Sequence, residues 1–592
     1  MRIDEHVAIG DGRSVALTDG WGAIDWLCWP RFDSDPIFDA ILDPVRGGAF
    51  RITPHGARRA SARYIEDTNV AFTSFELDGG TLELVDAMAV DLDGAHERTL
   101  SAEHEIVRMV SARRVDAVID VSIRPSRAFR RKVLPRGTVR FEDRGSLITL
   151  RASRPLTWHE EPDRSLSCTF TLRAGETIGF SLAFAADAPL VLSPLFDAGR
   201  SVVAATVETW RTWAKKARYD GPHRDAVVRS ALALKLLCYT PSGAIIAAPT
   251  TSLPEARGGD RNWDYRFCWL RDAALTARAL FGLGYEAEAD AFTSWLLHAT
   301  RLTRPELRVL YDVYGEQPRA EREVYALAGY GGAQPIRIGN AAAEQLQLDL
   351  YGEVIDAVAQ AWSHGREPDR AEVDLLLDLG DFVVANWRRP DSGIWEPRGE
   401  PEHNVHSRVL CWVALDRLLE HADMLRLDGE RRHELERQRA LIASEVRERG
   451  WSPKRSSYVS TIDGDRLDAC LLLLSWYGFE EPSSERMKST FAAIDRELGI
   501  GRHLLRRYDG VEDDGGFVAC AFWAAEHLAR GGGSLADARA RFGSFLELAP
   551  PSGLYAEIVD VNGEHLGNYP QGFSHLALLN CALSLEEREK VG

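Results

Sequence analysis

At 592 residues the chain is too long for one core, and its 45% hydrophobic and 27% charged content is that of a folded protein rather than a disordered one. A formal net charge of -18 argues against a nucleic-acid partner, because phosphate backbones call for a basic surface. No apolar run nears the roughly 18 residues of a spanning helix, and no apolar segment follows Met1-Arg2-Ile3-Asp4-Glu5-His6. With no basic amphipathic stripe either, no membrane attachment is expected, and the location expected is cytoplasmic.

Up to about residue 195 the pattern is that of strands. Ala71-Phe72-Thr73-Ser74-Phe75-Glu76-Leu77 and Thr81-Leu82-Glu83-Leu84-Val85 alternate around Asp78-Gly79-Gly80, which predicts a hairpin. Similar turns are expected at Asp143-Arg144-Gly145 and Arg173-Ala174-Gly175. Many strands without a long helical period predict an antiparallel β-sandwich over residues 1–200. Residues 201–217 switch to helical spacing and read as a connecting helix within a linker, 201–222.

From residue 223 to 592 the helical period persists. Twelve helices are predicted, centred near Leu232, Leu275, Phe292, Leu350, Phe382, Val413, Leu441, Leu473, Phe491, Phe522, Phe542 and Leu578. Connections after the even-numbered ones are short, such as Gly282-Leu283-Gly284 and Arg530-Gly531-Gly532-Gly533. Connections after the odd-numbered ones are long and rich in Trp, Arg, Asp, Glu and Tyr. In an antiparallel array the two kinds emerge at opposite ends, so the long loops share one face. Six hairpins closed into an (α/α)6 toroid are expected, with an open solenoid as the alternative; no short motif recurs at the fixed period an array would show.

Three of the long loops carry chemistry. The first holds Tyr265, Trp269, Arg271 and Asp272, the one after the fifth predicted helix holds Trp395-Glu396, and the last holds Tyr555-Ala556-Glu557. Aromatic rings cover the apolar faces of a pyranose, while Arg and Asp grip its hydroxyls. Glycoside hydrolysis needs two carboxyl groups, one protonated and one ionised. Glu396 follows Trp395, whose indole could desolvate it and raise its pKa, as a general acid requires. Glu557 lies near the polar run Asp560-Val561-Asn562-Gly563, where a carboxylate is expected to stay ionised. Glu402-His403-Asn404-Val405-His406 places two histidines at i and i+3, but without a third ligand it reads as a helix entry or loop rather than a metal site. The eight scattered cysteines form no CxxC, and neither metal nor cofactor is expected. Nothing in the sequence specifies an oligomeric state.

Tyr265-Arg266-Phe267-Cys268-Trp269-Leu270-Arg271-Asp272 resembles the first signature of glycoside hydrolase family 15, the glucoamylase and bacterial trehalase group. Ser392-Gly393-Ile394-Trp395-Glu396 resembles its general-acid segment. Leu554-Tyr555-Ala556-Glu557 and Gly567-Asn568-Tyr569-Pro570-Gln571-Gly572-Phe573-Ser574-His575 resemble its general-base segment. Ile9-Gly10-Asp11-Gly12 and Ile24-Asp25-Trp26-Leu27-Cys28-Trp29-Pro30-Arg31-Phe32-Asp33-Ser34 are similar to the start of its bacterial members. The resemblance implies single-displacement hydrolysis with inversion, Glu396 as acid and Glu557 as base. It implies that Tyr265, Trp269, Arg271, Asp272 and Trp395 line the glucose pocket, with Arg337 as a further sugar-gripping arginine. Pro397 and Phe573 depart from the fungal glucoamylases, which have a carboxylate and a tryptophan there, and so put a starch-type substrate in doubt. The expectation is a small carbohydrate, trehalose ahead of malto- or isomalto-oligosaccharides. A disaccharide phosphorylase and a sugar-binding protein with a dead site are the other readings.

Overall fold

The computed structural model describes all residues except 91–101, 144, 187–189, 191, 193–194, 364–365, 512–514 and 592. Its N-terminal part is two antiparallel eight-stranded sheets packed face to face. The first runs, in spatial order, Val7–Gly10, Val15–Thr18, Ala23–Cys28, Ala49–Pro54, Ala117–Arg124, Leu166–Leu172 and His159–Glu160, with Pro36–Phe38 beside Ala23–Cys28. The second runs Arg130–Val133, Val139–Asp143, Ser146–Ala152, Thr177–Ala186, His104–Arg113, Gly80–Met88, Ala71–Leu77 and Arg59–Tyr64. Alternation aims one face of each strand inward: in Ala117–Arg124 the buried residues are Ala117, Ile119, Val121 and Ile123. They meet Leu82, Leu84, Val110 and Phe180 of the facing sheet.

Two of the expected turns close hairpins. Leu77 pairs with Gly80, and Gly79 takes the left-handed φ of 86° that the tight loop requires. Asp143 likewise pairs with Ser146, around Arg144, which lies outside the described residues. The third turn, Arg173-Ala174-Gly175, instead crosses between the sheets: Leu166–Leu172 pairs with Ala117–Arg124, and Thr177–Ala186 pairs with His104–Arg113. Turn residues mark where a chain reverses, and the burial of Thr177–Ala186 on both faces decided which sheet it joined.

A buried ion pair of the second sheet helps hold the two sheets together. Arg108 donates to Asp86 through Nε (2.7 Å) and Nη2 (3.0 Å), and reaches across to the carbonyls of Phe50 (2.8 Å) and Gly22 (3.0 Å).

Thirteen helices follow among the described residues. The connecting helix, α1 (Leu195–Ala214), begins earlier than residue 201 and packs on Thr177–Ala186. The rest are α2 (Arg224–Leu237), α3 (Leu270–Gly282), α4 (Glu286–Thr300), α5 (Asp349–Ser363), α6 (Arg370–Asn386) and α7 (Val405–Glu420). Then come α8 (Gly429–Arg449), α9 (Leu473–Trp476), α10 (Glu485–Leu498), α11 (Val518–His527), α12 (Leu535–Leu546) and α13 (Gly572–Val591). Every predicted centre falls in one of them. The helix at Leu473 is a single turn, extended by a 3-10 turn over Ala469–Leu472.

Helices α3, α5, α7, α9, α11 and α13 contact one another in that order, and α13 returns to α3. The ring is closed, so the architecture is a β-sandwich followed by an (α/α)6 toroid. Composition sorts the two layers. Inner α11 is buried along its whole length, whereas outer α8 buries a stripe of Leu435, Gln438, Ile442, Ala443 and Val446 and is otherwise charged. Outer helices α6, α8, α10 and α12 start with side-chain caps from Asp369, Asp428, Ser484 and Ser534. Inner α3, α7 and α11 have none, so their positive N-terminal ends are left for the loop face.

The sandwich buttresses that face. Trp26 donates to the carbonyl of Pro249 (2.8 Å), and Tyr569 donates to that of His6 (3.0 Å). Arg266 grips Asp264 with two nitrogens (2.8 and 2.7 Å) and donates to Ser34 (2.9 Å), while Gly339 donates to the same Asp264 (3.0 Å). One ion pair thus joins the sandwich, the first long loop and the second.

Candidate active site

The long loops run over residues 238–269, 301–348, 387–404, 450–472, 499–517 and 547–571. All leave the toroid at the N-terminal end of the inner helices. Where they converge, Tyr265, Trp269, Arg271, Asp272, Trp395, Glu396 and Glu557 line one cavity, together with Arg507, Phe517, Gln571 and Phe573.

Arg271 and Asp272 occupy the first turn of α3. The guanidinium donates to Asp272 (3.0 Å), to the carbonyl of Ile394 (2.7 Å) and to Glu396 Oε1 (3.3 Å), and lies 5.4 Å from the Phe573 ring centre. An arginine with fixed partners is a rigid donor fork.

Glu396 sits at a φ of 56°, a left-handed conformation unfavourable for a residue with a Cβ, just after Gly393 at 62°. This turn swings the carboxyl into the cavity. Trp269 donates its indole N–H to Oε1 at 2.8 Å, on the same oxygen that Arg271 approaches. With Oε1 engaged as acceptor, a proton on this carboxyl belongs on Oε2. Burial holds the carboxyl above its ordinary pKa, with the Arg271 charge pulling the other way. The indole touching Glu396 is therefore that of Trp269. Trp395, expected to desolvate it, turns its N–H to both oxygens of Asp468 (3.0 and 2.9 Å) and packs edge-on against Phe517.

Glu557 is 3% exposed. The polar run expected to solvate it does not reach it: Asp560 caps its own turn and pairs with Arg257 at 2.9 Å. Glu557 Oε1 instead accepts from the Tyr265 hydroxyl at 2.9 Å. Burial and the Glu557 charge push the Tyr265 phenol well above its ordinary pKa, so it remains a donor. Two buried histidines set the backbone. His575 Nε2 accepts from Tyr555 N–H and His565 Nδ1 from Ala556 N–H, each at 3.1 Å. Burial lowers their pKa values to about 3 and about 4, so both rings are neutral and able to accept. Gly567 completes the seat: a Cβ there would stand 2.8 Å from Glu557 Cβ.

Arg337 is the one predicted site residue outside the cavity lining. It stands on the short strand Ile336–Ile338, paired with Arg322–Val324, inside the second long loop. Its guanidinium stacks 4.6 Å from the Trp263 ring centre and faces Glu321 (3.6 Å) and Glu323 (3.8 Å). The hairpin folds the loop back on itself, and these neighbours hold the arginine there. The cavity arginine missed from the sequence is Arg507, paired with Glu255 and lying over Phe517 at 5.2 Å. Its loop was already among those expected on this face, next to Tyr508, and that was the available signal.

Helix α7 opens with Asn404 as N-cap and His403 accepting from Arg408 at 2.7 Å, so Glu402–His406 is a helix entry. Among the described residues no group of three or more His, Cys, Asp and Glu is placed to hold a metal, and no helix is long and apolar enough to cross a membrane.

The Trp269 bond makes a prediction. The indole N–H favours ionised Glu396, so Trp269→Phe raises the acid's pKa. The alkaline limb of kcat/KM moves to higher pH while the optimum falls roughly 10–100-fold, the worth of one hydrogen bond to a charged group. A pH–rate profile reads both, and a limb moving to lower pH would contradict the geometry.

Residues 221–583 match the Glycosyl hydrolases family 15 profile, and residues 1–136 match the Trehalase-like, N-terminal profile. The trehalase of Mycolicibacterium smegmatis is 34% identical over 99% of this chain and 92% of its own length. That of Thermoplasma volcanium is 33% identical over 99% and 94%. The structure of a bacterial glucoamylase complexed with acarbose superposes with a TM-score of 0.73 at 10% identity, covering 99% of this chain and 94% of its own. With matched profiles across both parts of the chain and relatives aligned over nearly all of it, the protein belongs to glycosyl hydrolases family 15 and is a glycoside hydrolase.

Proposed function

We propose that the protein is an inverting, exo-acting trehalose hydrolase, with residues 223–592 carrying the chemistry and the sandwich of residues 1–200 bracing it. The observation that carries this reading is the unlike pair of carboxyl groups in one cavity. Glu396, whose pKa burial raises, is the proton donor, from Oε2, to the glycosidic oxygen. Glu557, aimed by Tyr265, takes a proton from the attacking water. Arg271 and Asp272 hold the hydroxyls of the non-reducing glucose. Inversion puts the two carboxyl groups about 6.5–9.5 Å apart, leaving room for the water. Full-length relatives named trehalase favour trehalose over malto- or isomalto-oligosaccharides. A carboxylate at 557 also disfavours phosphorolysis, where phosphate would occupy the nucleophile's place. Eight buried free thiols accord with a cytoplasmic site of action.

The leaving glucose is assigned to the adjoining cavity, which shares Ile394 and Trp395 and is lined by Pro397, Glu402, Arg466 and Asp468. Arg466→Ala is expected to raise KM for trehalose and leave KM for an aryl α-glucoside unchanged; equal changes would remove this assignment.

The test of the whole reading is proton NMR of the first turnovers on trehalose, maltose and isomaltose. Equal amounts of β- and α-glucose are expected from trehalose, because one ring inverts and the other leaves with its α configuration. Only α-glucose at early times would indicate retention, and glucose 1-phosphate formed with added phosphate would indicate phosphorolysis.

A further inference from the structure

Five arginines line a cavity of about 740 Å3 at one end of the sandwich, in a chain whose net charge is -18. The volume falls in the range of small-molecule sites. The cavity opens between two free sheet edges, Arg130–Val133 of the second sheet and His159–Glu160 of the first. Arg46, Arg124, Arg127, Arg131 and Arg164 are set against only two carboxylates, Glu160 and Asp163. Those two are already engaged: Arg131 pairs with Glu160, and Arg124 with Asp163 at 3.1 Å. Arg127 remains. Its guanidinium lies over the Phe129 ring at 5.2 Å, and its Nε is buried without a hydrogen-bond partner. A buried donor left so is costly unless a ligand or water completes it. Phe129, Phe141 and Trp158 supply the apolar wall, and Trp158 is fixed by its N–H to the carbonyl of Gly137 (2.7 Å).

Guanidinium forks beside aromatic faces suit one chemistry. Planar donors grip phosphate oxygens in pairs, and rings stack on the flat side chains. We propose that this cavity is a binding site for a small phosphate ester carried on a ring, and that its occupant acts on the catalytic cavity as an effector.

A chain of hydrogen bonds links the two cavities. Arg124 donates to the carbonyls of Val45 (2.7 Å) and Gly47, and so holds the turn 43–47. From that turn Arg46 donates to Ala326 O (2.9 Å), and Asp43 accepts from Ala328 N–H (2.9 Å). Residues 326 and 328 belong to the long loop 301–348, whose Gln345 donates to the carbonyls of Glu396 (3.4 Å) and Pro397 (3.1 Å). A phosphate that draws Arg46 or Arg124 away from these carbonyls changes the loop supporting the acid. The binding site lies in the sandwich, and the inference does not depend on which glucoside is cleaved.

The test is calorimetric titration of the full-length protein, without divalent cations and near physiological ionic strength, using ATP, glucose 6-phosphate and inorganic phosphate as separate probes. At least one ester is expected to bind, with inorganic phosphate at least tenfold weaker, and the two esters tell a base from a sugar as the ring. Arg127→Gln is expected to weaken the ester at least tenfold while leaving kcat/KM in its absence unchanged. Saturating ester should change kcat/KM of the parent protein and not of Arg127→Gln. Absence of binding by both esters, unchanged affinity in Arg127→Gln, or inorganic phosphate binding as tightly as the esters would overturn the proposal.

Discussion

Glu396→Gln and Glu557→Gln are each expected to lower kcat on trehalose about 10²–10⁴-fold, the range for a lost general acid or base. KM should move little, because Arg271, Asp272 and the aromatic walls still hold the sugar. The two variants should separate on α-glucosyl fluoride. Fluoride leaves without being protonated, so the substrate bypasses the acid but still requires an activated water. Substantial recovery is expected for Glu396→Gln and none for Glu557→Gln. Equal recovery would mean that the roles are wrongly divided, and full activity in either variant would remove that residue from the chemistry. The asymmetry follows from the structure. Burial raises the pKa of Glu396 and the donors on Oε1 leave Oε2 for its proton, whereas Glu557 receives a phenol that orients it.

The second large effect is on stability. Asp86→Ala leaves Arg108 buried between the two sheets with its charge uncompensated, and is expected to cost about 3–5 kcal/mol. Replacing both, as in Asp86→Leu with Arg108→Met, is expected to cost much less, since no charge is then stranded. Urea unfolding should show the single variant with a lower midpoint and an unchanged slope. A single variant as stable as the double would show that the pair is not holding the sheets. Because the sandwich supports the first long loop through Trp26 and Arg266, activity at elevated temperature should fall along with stability.

Much of the site was legible in the sequence because helical hairpins obey parity. Loops that alternate between short and long place the long ones together, and this alone brings Tyr265, Trp269, Arg271, Asp272, Trp395, Glu396 and Glu557 to one face. The same rule admitted Arg337 and Arg507 equally. Loop parity fixes an end of the toroid and says nothing about how a long loop folds back on itself. A two-stranded hairpin turned Arg337 onto Trp263, while the shorter loop 499–517 carried Arg507 inward. The indole beside the acid shows the same limit: adjacency in sequence singled out Trp395, but the left-handed turn at Glu396 sends the carboxyl toward Trp269.

The sequence by itself determined the period of each segment, the order of sheet and helix, and the two glutamates that could share a reaction. Those are local properties of side-chain alternation, loop length and short motifs. The tertiary structure alone decided the ring closure of α13 on α3 and the sheet that the strand after Gly175 joins. It alone supplied the donors that set Glu396 and Glu557 apart. Burial and hydrogen-bond partners come from segments hundreds of residues away, as Tyr265 does for Glu557, and no window along the chain contains both.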